Sequence, residues 1–254
     1  MKRTTLATCL AAMFVLVLAG PAPAQTWKSL LGQATGSEKP KSESGEKKDT
    51  ITEDQASQGL KEALEVGARK AVELASAKDG FFGNELIRIP LPKPIRSAGD
   101  TLRRFGLGKT VDEFELSMNR AAEAASAKAT PILIDAVKGL TVEDGLDILK
   151  GGDTAATDLL RSRTEEQLTK ELEPIVTKAM EDAKVTHYYD QLQQKGGSIL
   201  DMMGQKPVDL DEYVTGKTLD GLFTLIGEEE KKIRKDPVAR TTDLLKEVFG
   251  SLGQ

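Results

Sequence analysis

The stretch Phe114–Leu140, FELSMNRAAEAASAKATPILIDAVKGL, decides the fold class. Its apolar residues recur every three or four positions, at Phe114, Met118, Ala121, Ala125, Ala129, Ile132, Ala136 and Leu140. This spacing is typical of an α-helix that buries one face. The stripe keeps its phase through Pro131, so we expect this proline either to kink the helix or to begin a new helix on the same face.

Helix signals recur through the rest of the chain. A second apolar stripe runs through Leu168, Leu172, Ile175, Ala179 and Ala183. Capping boxes, in which an acidic or amide residue follows a threonine by three positions, predict helix starts at Thr52, Thr110, Thr141 and Thr164. Asp236 followed by Pro237 predicts another start. Glycines at positions where helices would end are Gly139, Gly151 and Gly196.

Strand patterns are nearly lacking. The short alternating segment LIRIPL (86–91) is interrupted and followed by Pro90, Pro92 and Pro94, which exclude it from the interior of a sheet. The sequence therefore predicts an all-α protein, with a single helical domain over residues 51–254. We expect a bundle of about 7–10 helices with an extended proline-rich elbow near 86–96.

Residues 1–24 have the features of a secretory signal peptide. Lys2 and Arg3 precede an apolar run, and the small residues Ala22 and Ala24 precede Gln25. We expect cleavage after Ala24, export to the periplasm and no transmembrane anchor in the mature chain; the alternative is an uncleaved single anchor. Residues 25–50 contain few large apolar side chains, which predicts a flexible linker.

Composition argues against several classes of function. Cleavage would remove the only cysteine and two basic residues, and the formal net charge would change from −5 to −7. An acidic exported protein is a poor candidate for binding nucleic acid. A single histidine, His187, supplies too few ligands for most zinc sites, and we expect it to be packed or hydrogen-bonded. We expect no metal and no cofactor.

Two short motifs resemble the end of a phosphate-binding loop: GLGKT at 106–110 and TGKT at 215–218. The complete loop also needs a glycine five positions before its last glycine, but Arg103 and Asp211 occupy those positions. We therefore expect no nucleotide site. Instead, Gly106 would end one helix and Thr110 would cap the next.

Residues 81–109 are basic although the whole chain is acidic. Six basic residues and two acidic ones give this stretch a formal charge of +4. Ten large apolar residues occupy the same stretch. Arginines for phosphate or carboxylate, beside apolar side chains for a tail, predict the binding of an acidic amphiphile. The candidate ligand-binding residues are Arg88, Lys93, Arg96, Arg103, Arg104 and Lys109. In the alternative interpretation, the apolar residues fill the bundle and the basic ones pair with acidic neighbours.

The acidic residues Asp112, Glu113 and Glu115 follow closely and are weak catalytic candidates, since carboxylates serve as acids, bases and metal ligands. The first turn of a helix favours acidic residues in any case. We therefore expect the protein not to be an enzyme. The charged run 228–235 pairs glutamates with basic residues four positions later, which predicts a solvated, self-paired helix face.

Three blocks resemble a known family: FFGNELIRIPLPKPIRSAGDTLRRFGLGKTVDEFELSMNRAAEAA (81–125), ATPILIDAVKGLTVEDGLDILKGGDTAAT (129–157) and DGLFTLIGEEEKKIRKDPVARTTDLLKEVFG (220–250). They are similar to the exported bacterial proteins grouped as domain of unknown function 4197, over about residues 55–250. The resemblance implies a helical, single-domain protein of the cell envelope. It implies no activity and supplies no catalytic residues.

These observations predict an exported, non-enzymatic helical protein that binds an apolar or anionic ligand, or an envelope protein, through residues 81–109. The ligand would be a lipid-like or anionic small molecule. One alternative is a carboxylate-dependent hydrolase that uses Asp112, Glu113 or Glu115. Another is a structural envelope protein that assembles with copies of itself through the same elbow.

Overall fold

The computed structural model describes residues 51–143, 145–202 and 208–251. The predicted signal peptide and linker lie outside these residues. The described part contains nine α-helices and no strand, which confirms the all-α prediction. The helices are α1 (Glu53–Ser76), α2 (Lys93–Leu102), α3 (Gly108–Ser126), α4 (Thr130–Gly139), α5 (Gly145–Leu149), α6 (Ala155–Asp182), α7 (Val185–Met202), α8 (Leu210–Lys235) and α9 (Asp243–Gly250).

Helix α3 packs against α1, α6, α7 and α8 and thereby lies at the centre of the bundle. Its predicted apolar stripe is buried, from Phe114 and Met118 through Ala121 and Ala125. The helix ends at Ser126, and Pro131 stands in the first turn of α4. The proline therefore begins a new helix on the same face, because its fixed φ and missing N–H suit a first turn.

Two of the predicted helix starts are wrong. The Thr52 box forms as expected, since the Gln55 N–H donates to the Thr52 hydroxyl (3.2 Å) and the Thr52 N–H to the Gln55 side chain (3.0 Å). Thr164, however, lies inside α6, where its hydroxyl donates to the Leu160 carbonyl (2.6 Å). Thr110 lies in the first turn of α3 rather than before it. The Thr141 box includes Asp144, which lies outside the described residues.

A buried ion pair explains why α6 begins earlier than predicted. The side chain of Glu230, only 1% exposed, accepts the N–H groups of Ala156 (3.1 Å) and Thr157 (2.8 Å) and so caps α6 from a distant helix. Arg234 donates to Glu230 (2.8 Å) and to the last carbonyls of α5. The 228–235 face is therefore not fully solvated: α8 buries this pair and uses it to join α5 to α6.

The sequence predicts a helix end at Gly196, but this glycine lies inside α7. A Cβ atom there would lie 2.6 Å from the Leu102 side chain and 3.2 Å from that of Leu107. The missing side chain therefore lets α7 approach the end of α2 and the beginning of α3 closely.

The proline-rich elbow is shorter than predicted. The extended segment runs only from residue 88 to Pro92, which stands at the N-terminus of α2. Pro94 falls within the first turn of that helix, a position that tolerates proline. Residues 93–96, assigned to the elbow from the sequence, are therefore helical.

Candidate functional site

The segment from Asp79 to Pro92 is held against α3 by polar side chains spaced one helical turn apart. The central one is Asn119, which is fully buried. Its side-chain oxygen accepts from the Ile89 N–H (2.9 Å), and its side-chain nitrogen donates to the Ile89 carbonyl (2.9 Å). This pair of bonds replaces those that a neighbouring strand would make, so an extended backbone can be buried without a sheet.

One turn further along α3, Glu123 holds the beginning of the segment. Its carboxylate accepts from the Phe81 N–H (3.2 Å), and Arg120 donates to the same carboxylate (2.6 Å). Arg120 also donates to Asp79 (2.7 Å), a residue with a positive φ of 63°. The buried carboxylate of Glu123 is thus paired with Arg120 and hydrogen-bonded to the Phe81 N–H.

Helix α8 supports the other face of the segment. The Tyr213 hydroxyl donates to the Pro90 carbonyl (2.8 Å), and burial raises the pKa of this tyrosine. Gly221 makes room for Phe81, since a Cβ atom at position 221 would lie 2.7 Å from the phenylalanine ring. The segment is therefore fixed between α3 and α8.

The apolar side chains of residues 81–109 mostly belong to the core. Six are buried: Phe81, Ile87, Ile89, Ile95, Leu102 and Leu107. They are not available at the surface for the tail of a ligand. Two others are largely exposed, Leu86 at 68% and Phe105 at 71%.

Two of the six predicted ligand-binding residues are engaged in ion pairs with α3. Arg88 donates to Glu115 (3.0 Å) and stacks over the Phe82 ring, and Arg103 donates to Asp112 (2.7 Å). The hydrogen bond to Asp112 raises the pKa of Arg103. When these two acidic partners are counted, the local formal charge of +4 falls to +2.

The other four predicted residues are exposed and form no ion pair within the described part of the chain; they are Lys93, Arg96, Arg104 and Lys109. Three of them, Lys93, Arg96 and Arg104, share one face of α2 and its continuation, because their spacings of 3 and 8 residues place them within about 80° of each other. Asp100, also exposed, lies on this face.

Phe105 lies at the corner between α2 and α3. The chain leaves the helical conformation at Phe105 (φ −86°, ψ 15°) and Gly106 (φ 80°, ψ 11°) and resumes it at Gly108. Gly106 allows the turn, since its positive φ is strained for a residue with a side chain. We call the exposed set Lys93, Arg96, Arg104, Phe105 and Lys109 the basic surface.

The three acidic candidates are not arranged as a free catalytic pair. Asp112 and Glu115 each accept from an arginine, and Glu113 is half-buried on the same helix. None of the three lies in the first turn of α3, where the sequence placed them. Among the described residues, no group of three or more histidine, aspartate and glutamate side chains lies close enough to share a metal ion.

The second phosphate-loop motif is helical, and the first spans the corner and the start of α3. Gly216, Lys217 and Thr218 lie inside α8, where Thr218 donates to the Val214 carbonyl (2.7 Å) and Lys217 pairs with Asp220 (2.9 Å). The first motif includes the corner glycine, Gly106, and the first turn of α3. His187 is exposed on α7 and hydrogen-bonded to Gln191 (2.7 Å).

An open groove of about 490 Å³ lies between α4 and α6. Its apolar wall contains Ile132, Ala136 and Leu140, and its polar wall contains Arg163 and Glu171. The basic surface contributes no residue to this groove. Sequence reasoning therefore did not find it.

The described residues form an all-α bundle that carries the basic surface on a chain of acidic net charge. The chain belongs to the family described as protein of unknown function (DUF4197), whose model matches residues 50–250. Searches of the curated proteins and of the solved structures gave no match. Among the described residues, no helix is both long and apolar enough to cross a membrane.

Proposed function

We propose that the protein is an exported, non-enzymatic binding protein of the periplasm, and that its basic surface binds an anionic partner that has an apolar part. The observation that carries this proposal is the position of Phe105. Its side chain is 71% exposed at a corner, next to Arg104 and four residues before Lys109. Cations favour the anionic part of a partner, and the aromatic ring favours its apolar part.

The structure of the corner itself does not require these side chains. Gly106 supplies the unusual backbone conformation, and the buried Leu102 and Leu107 supply the packing. Because Phe105 is 71% exposed, we expect a polar residue at this position to change the free energy of unfolding little. We therefore assign the exposed ring, together with the cations near it in sequence, to binding rather than to stability.

The binding mode favoured by the structure is contact with a surface rather than enclosure in a cavity. The apolar residues that might have lined a cavity, such as Phe81 and Ile89, are fully buried. A non-enzymatic role agrees with the ion pairs of Asp112 and Glu115, because each carboxylate is already occupied by an arginine.

Native mass spectrometry of the mature protein, purified gently from the periplasm, tests this function. We expect a chain that begins at Gln25 and carries a noncovalent anionic adduct. The double variant Arg104→Glu/Lys109→Glu should lose the adduct. The control Arg69→Glu/Lys128→Glu makes the same change in net charge at exposed positions outside the basic surface and should retain it. Equal adduct occupancy in the two variants would contradict the proposal, and a retained N-terminal 24 residues would contradict export.

A further inference from the structure

We infer that the partner of the basic surface is the anionic headgroup layer of a lipid bilayer, and that Phe105 enters this layer when the protein docks. This inference rests on the proposed function and names the partner of the same surface. It describes peripheral binding, in which the bundle stays folded outside the bilayer.

The shape of the site favours a bilayer over the other anionic partners. A small-molecule site is usually concave and encloses most of its ligand, whereas Phe105 lies at a corner between two helices. A stable protein interface needs a sizeable apolar core surrounded by polar residues. One exposed aromatic residue among cations instead matches the interfacial mode, in which an aromatic side chain enters the headgroup region and basic residues remain near the phosphates.

The charges are arranged to act together on an extended anionic surface. Arg104 directly precedes Phe105 in sequence and Lys109 follows it by four residues. Arg96 and Lys93 share the face of α2 with Arg104. At 1.5 Å per residue, the span from Lys93 to Arg104 is about 16 Å, which covers several lipid headgroups rather than one phosphate. Asp100 is the one acidic residue on the face of α2 that Lys93, Arg96 and Arg104 share, so cations exceed carboxylates there by three to one.

Buried residues on either side of the corner hold it against α7, so we expect docking to need no rearrangement of α2 or α3. Leu102 is fully buried and Leu107 is 7% exposed, and both lie against Gly196 of α7. The other end of α2 begins three residues after Pro90, whose carbonyl accepts from the Tyr213 hydroxyl. Pre-organisation of this kind lowers the entropic cost of binding.

Co-sedimentation of the mature protein with lipid vesicles tests the inference. One set of vesicles contains phosphatidylcholine alone, and the other also contains phosphatidylglycerol. We expect binding only to the anionic vesicles at a Debye length of about 10 Å, and release when salt shortens this length to about 3 Å. Each neutralised cation should weaken binding about five-fold, so Arg104→Glu/Lys109→Glu should weaken it at least about 25-fold.

The aromatic residue is tested separately with Phe105→Ser, which should weaken binding about ten-fold without changing the salt dependence. Val238→Ser is the matched control, since Val238 is 87% exposed on a different element and should have no effect. Circular dichroism of each variant shows whether it is folded. The control Arg69→Glu/Lys128→Glu should bind the anionic vesicles as the wild type does.

The outcomes separate this inference from the proposed function. Loss of the native adduct in Arg104→Glu/Lys109→Glu, without wild-type binding to either vesicle, would overturn the bilayer as partner and leave the proposed function standing. Vesicle binding that is equal in wild type and variant would overturn the role of the basic surface itself. A lipid-free dimer that Phe105→Ser dissociates would identify a second copy as the partner and would also overturn the inference.

Discussion

The side chain of Asn119 makes the two hydrogen bonds to the Ile89 backbone that a neighbouring β-strand would usually make. Both polar backbone groups of Ile89 are buried and both are satisfied by its amide. The same side chain also donates to the Glu115 carbonyl of its own helix (2.8 Å). The buried path of residues 88–92, and hence the position of α2, depends on this residue.

Removal of the Asn119 amide should therefore destabilise the protein strongly. In Asn119→Ala, the Ile89 N–H and carbonyl would remain buried without partners, which should lower the free energy of unfolding by about 3 kcal/mol. Asn84→Ala is the control. Asn84 accepts the Leu86 N–H (3.1 Å) where the bond is exposed, so its loss should cost less than about 1 kcal/mol. Urea unfolding measures both, and similar values for the two variants would contradict the account.

The role of Asn119 was not predictable from the sequence. An asparagine beside the apolar stripe of α3 is usually an exposed helix residue, and its partner lies 30 positions earlier. The exposure of Phe105 was equally hidden, since it is one of ten apolar residues in a stretch whose other members are mostly buried. The charge and composition of the sequence pointed to residues 81–109. Which of their apolar side chains are buried and which are exposed could be seen only from the packing in the structure.

At the scale of helices, α8 joins the end of α5 to the start of α6 through two buried side chains. Its buried Glu230 caps the start of α6, and its buried Arg234 caps the end of α5. Arg240, which follows α8, in turn donates to the carbonyls of Ile233 and Arg234 at the end of this helix (2.9 Å each). At three helix ends, two backbone groups each are thus hydrogen-bonded by a side chain from another part of the chain.

The buried Glu230–Arg234 pair predicts that Glu230 contributes much more to the stability of the protein than the nearby Glu228 does. Glu230→Gln removes the charge that compensates the buried Arg234 and should lower the free energy of unfolding by about 3 to 5 kcal/mol. Glu228→Gln breaks the half-exposed pair with Lys231 (2.6 Å) and should cost less than about 1 kcal/mol. Thermal and urea unfolding of both variants measure the difference. A Glu230→Gln variant as stable as Glu228→Gln would show that the pair does not hold α5 to α6.

Helix periodicity predicted which segments are helical, and the capping patterns predicted only some of the helix ends. Thr52 caps α1 through the local bonds with Gln55 that the capping pattern predicts. Thr164 fails as a cap because Glu230, 66 positions later in sequence, caps α6 at an earlier turn. A local pattern cannot reveal a cap that comes from another helix.

At the scale of the whole molecule, four cations of residues 81–109 form no ion pair among the described residues, and they are exposed along α2, at the corner after it and at the start of α3. The bundle buries the apolar part of that stretch and pairs Arg88 and Arg103 with α3. The basic surface stays exposed beside these contacts. The fold class and the basic stretch were predictable from the sequence, whereas the division of this stretch into core and surface was not.

The most direct measurement of the central claim places a fluorescent reporter at the corner. Trp27 is the only tryptophan, so Phe105→Trp in a Trp27→Phe background gives a single emitting residue at the proposed contact. On titration with anionic vesicles at low salt, we expect its emission to shift to shorter wavelengths as the ring leaves water, and to stay unchanged with neutral vesicles. Val238→Trp in the same background should show no shift with either. An unchanged emission from position 105 on anionic vesicles would contradict the account.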